Sequence, residues 1–163
     1  MNFHEGDPVM HWTYGFGKVI RLEERALSGK NALYYAVQIG DLTVWVPADG
    51  ELGNRLRPPT PEAGFKKLLA ILSSPGEPLP DDRQDRKTQL LELLKDGRAE
   101  SLCRVIRDLS AYRQVRPLNE NDQALMRRAQ KALLGEWGFA LSVTPAQAEL
   151  ELHRLLTSAP AGD

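Results

Sequence analysis

The chain changes its hydrophobic period once. Up to about residue 57, apolar side chains recur every second position in short runs, the period of half-buried strands; beyond Pro58-Pro59-Thr60-Pro61 they recur at three and four, the period of helices. Residues 8–12 read as a first extended run. The Tyr14-Gly15-Phe16-Gly17 turn follows, with glycines that can take positive φ or admit another backbone. Residues 18–25 (KVIRLEER) form a strand whose apolar members do not all fall on one face, so its register stays open. A hairpin-like connection at Leu27-Ser28-Gly29-Lys30 leads to an aromatic, β-branched strand at 33–39. Gly40-Asp41 then turns tightly into LTVWVP, where Leu42, Val44 and Val46 point one way and Thr43 and Trp45 the other. A last short strand is expected at 54–57. Strands this few and short cannot build a sandwich, so a small antiparallel barrel of SH3 or Tudor type is predicted.

The second part reads as about five helices. Thr60 as N-cap and Pro61 in the first turn start one that carries Phe65, Leu68, Leu69, Ile71 and Leu72 on its apolar side. SSPGEPLP at 73–80 interrupts it. A second helix over 81–95 turns Leu90, Leu91 and Leu94 inward and ends at Gly97; a third over 99–114 carries Leu102, Val105, Ile106 and Leu109 at i, i+3, i+4 and i+7. After Pro117, Asn119 caps a fourth helix, with Asp122 favouring its dipole and Leu125, Ala129, Leu133, Trp137 and Leu141 as its seam. Thr144-Pro145-Ala146-Gln147 is a capping box opening a fifth, to about 156, before a frayed tail at 157–163. The expected fold class is thus α+β: an N-terminal antiparallel barrel (1–57), a proline-rich linker (58–61) and an all-α domain (62–163).

Composition narrows the function more by exclusion than by signature. The 42% hydrophobic and 26% charged content is that of an ordinary globular chain, with no run of about 18 apolar residues and no leader-like N-terminus, which points to the cytoplasm. The single Cys103 excludes an internal disulfide and sits among helical core positions. His4, His11 and His153 lack ligand-like spacing, and Gly15 and Gly17 precede a strand, so neither a metal site nor a phosphate loop is indicated. Asp81, Asp82 and Asp85 gather at a helix start, where the dipole explains them better than a catalytic pair does. No catalytic constellation, cofactor or metal is expected: the chain looks built to bind.

Two surfaces could bind. One is an edge of the β unit, open to another strand. The other is the basic exterior of the helices. Net charge is −1, yet between residues 83 and 131 twelve basic residues stand against seven acidic ones. Arg83, Arg86, Lys87, Arg127, Arg128 and Lys131 are the candidates for phosphate contact, although helix faces are commonly solvated by such charges through i,i+4 pairs.

The order of these segments resembles the CarD/CdnL family of bacterial transcription regulators. FHEGDPVMHWTYGFGKVIRLEER is similar to the family's Phe-x-x-Gly-Asp entry, glycine-bearing turn and strand ending in Glu and Arg; GDLTVWVPAD resembles the last well-defined strand of its polymerase-interacting domain. RKTQLLELLKDG, VIRDL and NENDQALMRRAQKALLGE carry the likeness through the helices. The resemblance implies a Tudor-like domain docking on the RNA polymerase β subunit, and a helical domain contacting promoter DNA, weakly and without sequence preference, at the upstream edge of the bubble. It also implies stabilisation of the open complex by a protein expected to be monomeric. On this basis Arg25 and Trp45 are expected polymerase contacts, and Thr43, on the face of Trp45, and Pro47, in the same strand, are expected beside them. Trp45 stands where the family often has a basic residue, and Asp82 where several members have a minor-groove wedge tryptophan; Lys87 and Arg128 match basic positions. A module that binds polymerase without touching DNA is the alternative.

Overall fold

A computed structural model describes residues 2–27 and 29–158. The predicted hairpin connection includes Ser28, and the predicted tail is mostly 159–163; those residues lie outside the described ones. The chain divides into two compact units, Met1–Pro59 and Thr60–Asp163.

The first unit is a five-stranded antiparallel sheet in the order β4-β3-β2-β1-β5, with β1 Pro8–His11, β2 Gly15–Arg25, β3 Ala32–Ile39, β4 Leu42–Pro47 and β5 Leu56–Arg57. The expected closing strand over 54–57 is thus shorter, because Leu52–Asn54 winds into a 3-10 turn first. Phe3, Val9, Val19, Tyr35, Val37, Ile39, Val46, Leu52 and Leu56 form its core, with Val44 packed against them. Both turn glycines have the roles their type allows. Gly15 takes φ 91°, and a Cβ on Gly17 would lie 2.5 Å from the Gln38 carbonyl oxygen, so only glycine lets β2 press onto β3 there.

The open register of β2 resolves into a bulge. Val19 pairs with Val37, but Arg21 rather than Ile20 pairs with Ala36, so one extra residue is inserted. Its consequence decides the site. Past the bulge, Leu22 rejoins the Tyr35 side, while Arg21, Glu23 and Arg25 move to the outer face opposite Ala36, Tyr34 and Ala32.

The second unit comprises α1 Glu62–Leu72, α2 Arg83–Leu94, α3 Ala99–Arg113, α4 Glu120–Leu141 and α5 Pro145–Thr157. The stripe Leu102, Val105, Ile106 and Leu109 of α3 packs with Phe65 and Leu72 of α1, Leu90 and Leu94 of α2, and Leu125, Ala129, Leu133 and Trp137 of α4. Phe65 and Trp137 meet with ring centroids 5.8 Å apart. Burying side chains of this size contributes roughly 1.5–3 kcal/mol each, which is how helices of modest intrinsic stability are held. Asn119 and Thr144 form full capping boxes with Asp122 and Gln147. Thr60 departs from expectation: Pro61 occupies the N-cap of α1, and the Thr60 amide and hydroxyl both donate to the buried Glu136 carboxylate of α4, at 2.7 and 2.8 Å. The interrupting loop is clasped onto α3. Asp108 accepts from the Glu77 amide and Arg107, while a Cβ on Gly76 would meet that of Ala111 at 2.6 Å. Burial pushes the Asp108 carboxyl above its ordinary range.

Candidate functional site

On the outer face of the first unit, β3 lies between β2 and β4, and its register with both brings distant residues together. Arg21, Ala36 and Trp45 form one row across the three strands; Glu23, Tyr34 and Pro47 form the next. Ala36 is the smallest side chain in its row, which leaves room for the indole of Trp45 to reach across β3, where its Nε1 donates to Glu23. Arg25 stacks over the same ring, its guanidinium carbon 4.6 Å from the centroid. Glu23 sits between two arginines, 3.1 Å from Arg21 and 3.7 Å from Arg25. Its carboxyl is held below the ordinary range, first by the Trp45 hydrogen bond and then by that from Arg21.

Trp45 is half-buried on the outer face and is not among the core residues of the sheet. Arg25 makes no hydrogen bond among the described residues, so its five N–H donors face water or a partner while ring and carboxylate hold it in place. Thr43 is less open: its hydroxyl donates to Gln38 at 2.7 Å. Pro47 ends β4 opposite Tyr34, without an N–H to offer. Among the described residues β4 pairs with β3 alone, and its other edge has no strand partner.

On the second unit the six basic candidates divide. Arg83, Lys87, Arg127 and Lys131 are exposed and Arg128 is half-buried, and none of the five has an ion-pair or hydrogen-bond partner among the described residues. The pairing by which helix charges satisfy one another does operate elsewhere, as in Arg104 with Glu100 at 2.8 Å and Lys66 with Glu62 at 3.1 Å, but not here. Arg83 and Lys87 share a stripe of α2; Arg127, Arg128 and Lys131 fall within an arc of about 100° on α4.

Arg86 is the correction. It is 2% exposed, so it is not available to phosphates. Its Nε and Nη2 donate to the two oxygens of Asp122 at 2.9 Å each. Nη1 reaches the Pro80 and Asp81 carbonyls, both at 3.1 Å, and the Tyr112 hydroxyl at 3.2 Å. The guanidinium carbon lies 4.7 Å from the Tyr112 ring centroid. Hydrogen bonding to Asp122 holds the Arg86 pKa above even its ordinary high value. The position had a readable signal: Arg86, Leu90 and Leu94 run at i, i+4 and i+8, one inward seam.

Asp82 has a local duty, as the N-cap of α2 accepting the Asp85 amide at 2.9 Å. Cys103 is buried and its thiol is pushed up to about 12 by desolvation, which leaves it inert. His11 serves the β1–β2 turn, its Nδ1 accepting the Thr13 and Tyr14 amides at 3.0 and 3.1 Å. Among the described residues no group of His, Cys, Asp or Glu side chains could hold a metal ion, and no helix is long and apolar enough to cross a membrane.

Comparison with known proteins accounts for both units. Residues 3–53 match the family described as CarD-like/TRCF RID domain, and residues 67–153 match CarD, C-terminal domain. The chain is also 24% identical over 151 residues to the protein named "Putative transcription factor YdeB" of Bacillus subtilis (strain 168), covering 89% of this chain and 96% of that one. Domains of this kind are found in transcription regulators and are generally non-enzymatic. With its small antiparallel sheet followed by five helices, the chain belongs to the CarD family and has a transcription-related role that involves interaction with RNA polymerase.

Proposed function

We propose that the protein is a non-enzymatic, monomeric, cytoplasmic regulator that docks on the β subunit of RNA polymerase and contacts promoter DNA at the upstream edge of the bubble, stabilising the open complex. The observation that carries the docking half is the Arg25–Trp45–Glu23 cluster: an amphipathic ring and a guanidinium with unspent donors, both held in place on a rigid sheet. Such side chains are the usual anchors of interfaces. Thr43, Pro47 and the open edge of β4 flank it and complete the docking surface.

The five unpartnered cations of α2 and α4 support the DNA half. Contacts of that kind go to phosphates, so binding is weak, insensitive to sequence and steeply salt-dependent. Charge reversal at Lys87 and Arg128 tests it: the lifetime of a promoter open complex should fall severalfold while polymerase binding is unchanged. An unchanged lifetime would remove DNA contact from the function. That outcome would favour the second reading, a protein-interaction module that binds polymerase alone, for which the exposed Asp81, Asp82 and Asp85 around Arg83 are the specific motive.

A further inference from the structure

The first turn of α2 is located by polar geometry rather than by packing. Of its inward seam, Leu90 and Leu94 are buried in the apolar core, but the N-terminal member of the same seam is Arg86. An apolar residue there could serve stability as well, because a buried ion pair costs so much desolvation that a packed hydrophobic pair is often its equal. What an apolar side chain cannot do is fix direction. The Arg86 fork addresses four residues on three segments: Asp122 in the first turn of α4, the carbonyls of Pro80 and Asp81 in the loop before α2, and Tyr112 near the end of α3. Asp122 is itself fixed, its Oδ2 accepting the Asn119 amide at 3.0 Å in the capping box of α4. A second bridge, Arg116 to Asp81 at 3.2 Å, ties the same loop to the segment after α3, but both partners are largely exposed.

We infer that the Arg86–Asp122 pair is a positioning device, which sets the start of α2 on the start of α4 so that Arg83 and Lys87 are presented in one fixed geometry with Arg127, Arg128 and Lys131. The inference rests on the reading that these cations meet a nucleic-acid backbone. Five scattered cations contact phosphates only as well as their helices hold a common spacing, whereas a loosely seated α2 spends binding energy on being ordered. Arg86 touches no nucleic acid in this account and acts through the side chains on either side of it.

The test uses the double variant Arg86→Met with Asp122→Leu, which leaves no buried charge behind, and Arg86→Lys, which keeps the charge without the fork. Spin labels at Arg83→Cys and Arg127→Cys read the geometry directly, since Cys103 is buried and unreactive. In the parent the distance between labels should be a single narrow distribution. In both folded variants it should broaden, and in the same variants without labels, where Arg83 and Arg127 are kept, the salt slope for binding to forked DNA should flatten by about 1.8, the equivalent of two phosphate contacts. Binding to polymerase should not change. A narrow distribution in both folded variants would overturn the inference, because a purely stabilising role moves the melting temperature and not the distance. Failure of the DNA reading is seen separately, as an unaffected open-complex lifetime in Lys87→Glu with Arg128→Glu.

Discussion

The two units use the same three chemical parts to opposite ends. Arg25, Trp45 and Glu23 on the sheet, and Arg86, Tyr112 and Asp122 among the helices, each join a guanidinium, an aromatic ring and a carboxylate, with the cation 4.6 and 4.7 Å from the ring centroid. Burial separates them. The Arg25 and Glu23 side chains are 39% and 22% exposed, and the Arg25 guanidinium makes a 3.7 Å ion pair but no hydrogen bond among the described residues; the Arg86 and Asp122 side chains are 3% and 1% exposed, and the fork is spent on four partners. A motif of residue types therefore does not carry a role, since the half-buried surface trio is available to a partner and the buried one is consumed by the fold.

The largest effect that would break this contrast is expected at Arg86. Replacement by alanine alone strands the Asp122 carboxylate in the interior and should cost about 3–5 kcal/mol, measured by chemical denaturation of the helical unit. If the loss is under about 1 kcal/mol, comparable to an exposed pair, burial does not divide the two trios. At Arg25 the effect should appear in binding instead. Arg25→Ala should weaken association with the polymerase β subunit by about 2 kcal/mol, some thirtyfold, with unfolding little changed, and Arg25→Lys should recover only part because the stacked fork is lost.

The smallest effect concerns Glu23 and acid. Because its folded carboxyl titrates below the ordinary 4.5, the cluster's contribution to stability is complete above that pH and fades as acid protonates the group. The indole N–H resonance of Trp45 should therefore shift with a midpoint below 4.5, and Glu23→Gln, which keeps an acceptor but no charge, should abolish that titration. A midpoint above 4.5 would mean that neither the indole nor Arg21 favours the charged form.

The sequence shows much of the fold because its signals are local. The seams of α1, α3 and α4, the N-cap at Asn119, the capping box at Thr144, and the two turn glycines follow from spacing and backbone chemistry within a few residues. What escapes is what depends on partners far along the chain. Ile20 is an ordinary strand residue, and only the pairing of β2 with β3 makes it the extra residue of a bulge. That bulge puts Arg21, Glu23 and Arg25 on the face of Trp45. Without it they would share the side of Val19, and no cluster would exist. Thr60 has the composition of an N-cap but finds Glu136, 76 residues away. The seam with Leu90 and Leu94 turns Arg86 inward, but the carboxylate that lets a charge sit there, Asp122, is 36 residues on. The nearness of Arg25 and Trp45, by contrast, is expected from the family resemblance, and the register explains it.

For the Arg25–Trp45–Glu23 trio as docking anchor, the sharpest experiment is a titration of the isolated polymerase β-subunit lobe with wild type and with Trp45→Ala, each accompanied by a melting curve. Affinity should fall at least tenfold, since an aromatic anchor is worth about 2 kcal/mol or more, while the melting temperature of the helical unit stays where it was. Equal affinity of the two proteins, both folded, would contradict the anchor role.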